Sequence, residues 1–133
     1  MSRGQALVEL ALSAPVVMVL ALGSVAVVQV QAAAAGLEAA TEAAAGAAVR
    51  APDPMAAATA AQQRFAVVAS GYPLQAPTIR ISAGDFSRAG ELVATSSAIV
   101  DIGWAAMGLP SRVSLRASAV ARIEPWRTRR SPP

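Results

Sequence analysis

The residue with the most chemistry to offer in this sequence is a carboxylate set just ahead of a long uncharged run. Glu9 follows the opening Met1-Ser2-Arg3-Gly4-Gln5-Ala6-Leu7-Val8, and residues 10–37 then carry no charge. Taken into hydrocarbon unpaired, such a group costs on the order of a few kcal/mol, so it needs a counter-charge or a wet exit. A cut between Gly4 and Gln5 would create the counter-charge. The new α-amine of Gln5 would stand about one helical turn from Glu9, the i,i+4 spacing at which helix neighbours meet. The two could pair within one chain, or Glu9 could reach the amine of an adjacent chain.

Other chemistries are removed by composition. The 133 residues include no His and no Cys, and all 11 basic residues are Arg. Ser-His-Asp, Cys-His and Cys/His zinc designs have no raw material here. Without lysine there is no ε-amine for a Schiff base or an isopeptide link, so any polymer the chain joins is noncovalent. An enzyme is not expected, nor a cofactor or metal. The formal net charge is +3, but the arginines are scattered until the last few residues, so nucleic acid is not expected as a partner.

The element that must position Glu9 is an apolar helix. Leu10 to Val28 is interrupted only by Ser13, Pro15, Gly23 and Ser24, and roughly 20 apolar residues suffice to cross a bilayer. Arg3 lies before the run, whereas the next arginine is Arg50, beyond Glu38 and Glu42. That asymmetry favours a cytoplasmic N-terminus and an extracytoplasmic C-terminal region. Pro15 cannot donate to the carbonyl of Ala11 and crowds that turn, so a bend is expected near residues 11–15. Hydroxyls such as Ser13 can satisfy the freed carbonyl. Two plainer readings compete: a secretory signal peptide cut near Ala32 to Ala35, releasing a soluble β-rich protein, and a single-pass anchor.

A short basic leader ending in Gly, a Glu five positions later and an apolar helix starting at once resemble the type IV prepilin processing site, here Gly4, Gln5 and Glu9. More narrowly, Arg3-Gly4-Gln5-Ala6-Leu7-Val8-Glu9-Leu10-Ala11-Leu12 with Pro15 resembles the start of TadE-like minor pilins (pseudopilins) of tight-adherence pili. The resemblance covers about the first 30 residues. It implies cleavage between Gly4 and Gln5 by a membrane prepilin peptidase, for which a residue without Cβ suits a tight, extended site. It also implies other pilin subunits and pilus assembly machinery as partners, with Glu9 setting register and the chain entering a surface fibre. One departure stands out: many type IV pilins begin the mature chain with Phe, whereas this one would begin with Gln. An N-terminal Gln can cyclise and lose its charge, so whether Glu9 meets a charged amine, and whether that amine is methylated, stays open. The rival readings are an unprocessed single-pass envelope protein with an extracytoplasmic partner-binding domain and, within the pilins, a DNA-uptake pseudopilin.

Beyond the apolar run the sequence predicts an α+β fold. Val30 to Arg50 is alanine-rich and free of proline, so one helix is expected from Gln5 to Arg50. Ala51-Pro52-Asp53-Pro54 breaks it, with Asp53 as cap and Pro54 opening a second helix. Met55, Ala58, Ala61, Phe65 and Val68 form that helix's expected apolar stripe, and Ser70-Gly71-Tyr72-Pro73 ends it. The period then becomes two over Thr78–Ser82, Glu91–Ile102 and Arg112–Glu124, with turns at Gly84-Asp85 and Gly108-Leu109-Pro110. These read as three strands of a small antiparallel sheet covered by the alanine-rich helix. Trp104 is expected in the core, and Trp126 either there or at an interface. The resulting organisation is a leader over 1–4, a long helix over 5–50 with its membrane segment at about 10–30, an extracytoplasmic region over 51–126, and a disordered basic tail over 127–133.

Overall fold

A computed structural model describes residues 2–84, 86 and 90–123. The fold is α+β, in the order α1 (Arg3–Ala48), α2 (Pro54–Ala69), β1 (Gln75–Ala83), β2 (Glu91–Asp101), a single 3-10 turn (Trp104–Met107) and β3 (Arg112–Arg122). The strands form one antiparallel sheet in the order β1-β2-β3. Trp126 and the basic tail lie outside the described residues, as do Asp85 of the first turn and Glu124 of the third expected strand.

The two helices cover one face of the sheet, α1 over β2 and β3, α2 against α1 and β1. Alanine makes that close approach possible. On α1 the buried line includes Ala33, Leu37, Ala40, Thr41, Ala44 and Ala48; on α2 it is Ala57, Ala61, Phe65 and Ala69. From the sheet, Leu92, Ala94, Ser96, Ala98 and Val100 of β2 point inward. Asp53 accepts the Ala56 N–H at 2.8 Å, which satisfies one of the orphan donors at the start of α2. Just beyond the other end of α2, Tyr72 packs against Gly36, and a Cβ on Gly36 would overlap its ring. Glycine here is a packing requirement that lets the segment after α2 lie close against α1.

Three expectations are corrected, and one residue that the sequence left unassigned is placed. The long helix starts two residues before Gln5 and ends two before Arg50, so it takes in part of the leader. The stripe on α2 is shifted: Met55 is 81% exposed, while Ala57 and Ala69 are buried. Met55 lies two residues, or about 200° of helix, from Ala57 and therefore faces away from α1. Ser96, whose polar type argued for neither face, sits inward by strict alternation. Trp104 is half-buried in the connection between β2 and β3 and takes no part in the main core. Gly103 and Gly108, at φ 78° and 71°, bracket it in left-handed conformations that glycine adopts without strain.

The inward Ser96 has a partner. The Thr41 hydroxyl donates to the Leu37 carbonyl at 2.6 Å, so the 2.5 Å bond between Thr41 and Ser96 has the serine as donor. Replacing Thr41 by Val leaves Ser96 only the carbonyl of Ala117, at 3.5 Å. That change is expected to cost about 1–3 kcal/mol, the penalty of an unmade buried hydrogen bond. Ser96→Ala leaves Thr41 bonded to Leu37 and is expected to cost about 1 kcal/mol or less. Urea unfolding of the micelle-embedded chain checks the order, and the double variant should be milder than Thr41→Val alone.

Candidate processing and assembly site

Gly4, Gln5, Glu9 and Pro15 all lie on the first four turns of α1. Every described residue from Ser2 to Leu22 is exposed, and Ala26 is the first buried one. Leu10, Val16, Met18 and Leu20 are each at least 59% exposed, and the apolar side chains surround the helix on all sides. A helix apolar all round belongs in a low-dielectric surrounding, and the other described residues supply none. Residues 5–28 would run about 36 Å at about 1.5 Å per residue, against a hydrocarbon core of about 30 Å. The helix is long and apolar enough to cross a membrane. Ser13 donates to the Leu10 carbonyl at 3.4 Å and Ser24 to the Leu20 carbonyl at 2.8 Å, which satisfies both hydroxyls within the helix. Ser13 thus turns to Leu10 instead of the carbonyl of Ala11 that Pro15 frees, and the helix continues through Pro15.

Glu9 is exposed and has no ion pair or hydrogen bond among the described residues. Gln5 precedes it by four residues on the same side of α1, the spacing read from the sequence. Gly4 faces open space, so packing within the chain does not demand glycine there. The first turn is weakly held: Ser2 occupies the N-cap position without a side-chain cap bond, and no acidic residue stands in that turn. Glycine adds about 1 kcal/mol of helix cost relative to alanine. The Gly4–Gln5 bond is therefore helical yet cheap to unwind.

Elsewhere the described residues offer little for chemistry. No group of three or more His, Cys, Asp or Glu is placed to hold a metal ion. An open depression at the start of α2 is lined by Asp53, Met55, Ala56, Thr59, Ala60 and Gln63, and its one carboxylate is already engaged in capping. Comparison of the chain with protein-family models, with curated proteins and with solved structures finds no match.

Proposed function

We propose that the chain is a TadE-like minor pilin, or pseudopilin, that is stored in the cell membrane and added to a tight-adherence type IV pilus or a related secretion fibre. The observation that carries this reading is the division of α1. One unbroken helix has an apolar half with no partner among the described residues and a second half that forms the core of a small α+β region. Burying a Val or Leu side chain is worth about 1.5–3 kcal/mol, so the bare half calls for lipid first and other helices afterwards. Glu9 and Gln5 at its start supply the register element, and a prepilin peptidase cutting after Gly4 would release the amine that pairs with Glu9. The N-terminus is cytoplasmic in this reading and the sheet extracytoplasmic. The chain is the peptidase's substrate and has no reaction of its own.

The helical state of the Gly4–Gln5 bond favours a second reading, an unprocessed single-pass envelope protein whose outer region binds a partner, because proteases take extended substrate. N-terminal peptide analysis of the membrane fraction separates the two. A chain starting at Gln5, free or cyclised, is expected in cells with an active prepilin peptidase, and Gly4→Leu should abolish that start. An intact Met1 or Ser2 in such cells removes the pilin reading and leaves the tethered one.

A further inference from the structure

The two edges of the sheet differ. On β1 the edge is broken: Ala76 has a left-handed φ of 46°, the register slips between Gln75 and Thr78, and Pro77 has no N–H to offer. On β3 nothing interrupts it. Arg112–Arg122 pairs residue for residue with β2, with no bulge and no proline. Among the described residues, nothing pairs with its outer backbone edge. An edge of this length with no bulge or proline, guarded by arginine charge alone, is a template for a strand of the opposite charge.

Charge decides which strand fits. Facing away from the helices, Arg112 stands opposite Asp101 and Arg122 is bridged to Glu91 at 3.5 Å, while Arg116, midway along the edge, stands opposite Ser97. On the helix side, Gly36 touches Tyr72 beside α2 and Thr41 touches Ser96 of β2. Glu38 and Glu42, about 60° and 100° of helix beyond Thr41, turn away from the sheet to the exposed side of α1 and put no acid beside the β3 edge. A second copy pairing β3 with β3 would set strands carrying Arg112, Arg116 and Arg122 on the same outward face side by side. Like charges facing each other across strands are destabilising.

We propose that the β3 edge is a β-augmentation site for an extended strand of a different polypeptide, one with carboxylates at alternate outward positions and apolar side chains inward. The site stands on the sheet alone and does not depend on cleavage at Gly4.

The test uses the full chain in detergent micelles and a short labelled peptide alternating glutamate with valine, with fluorescence anisotropy as readout. Saturable binding is expected, with a lysine-valine twin at least about fivefold weaker. Two further peptides carry N-methyl groups on one or the other alternate set of amides. One set faces β3 and should abolish binding; the other should leave it intact. Arg116→Glu, at an exposed position, should weaken the glutamate peptide about fivefold and strengthen the lysine twin. Absence of binding, or binding indifferent to both methylation patterns, overturns the proposal. Binding that declines as protein concentration rises also overturns it, since copies of the chain would then occupy the edge.

Discussion

Phe65→Ala is expected to remove about 3–5 kcal/mol from the stability of the α+β region, a large share of the roughly 5–15 kcal/mol typical of a domain. Phe65 is 3% exposed and, among the described residues, is the one aromatic side chain buried in the core, where most of its companions are alanines. Alanine has no rotamer with which to fill a void, so the cavity should persist and the cost should fall near the upper end. Denaturant unfolding of the micelle-embedded chain, followed by the near-ultraviolet signal of the tryptophans, measures it. Met55→Ala is the matched control: Met55 sits ten residues earlier on the same helix at 81% exposure, and its truncation should change stability by less than about 0.5 kcal/mol.

Leu37→Ala is expected to cost about 2–5 kcal/mol by the same mechanism. Leu37 is fully buried and is the largest such side chain on α1. Its effect should be felt at one end of the helix only, because none of the described residues before Ala26 is buried. Hydrogen exchange in micelles should therefore show faster exchange in β2 and the second half of α1, with the apolar half unchanged. Equal loss of protection along the whole of α1 would contradict that division.

The sheet was readable because its strands alternate. Val113, Leu115, Ala117, Ala119 and Ala121 all face the helices as their parity requires. The second helix was harder for a physical reason. In a segment where most residues are alanine there is little contrast between faces, and Met55 drew the expected stripe toward itself by hydrophobicity although it faces water. Trp104 misled by size in the same way. Ser96 could have been placed inward from its position between Ala94 and Ala98, but its hydroxyl counts as polar, and the partner that makes it acceptable, Thr41, is 55 residues away. At the candidate site, the sequence was enough to set Gln5 and Glu9 one turn apart. It did not place Gly4 inside the helix, because the expected helix was begun at Gln5, the residue after the expected cut, whereas the helix runs from Arg3.

The absence of any joint between the two halves of α1 has a mechanical consequence. Nothing after Val28 relaxes the helix before Ala48, a stretch of about 30 Å at about 1.5 Å per residue. Membrane helices lean by about 20° on average, and such a lean moves the far end of that stretch sideways by about 10 Å. The sheet would then be aimed by the angle of the segment in lipid, and thinning or thickening the bilayer would swing it like the head of a lever.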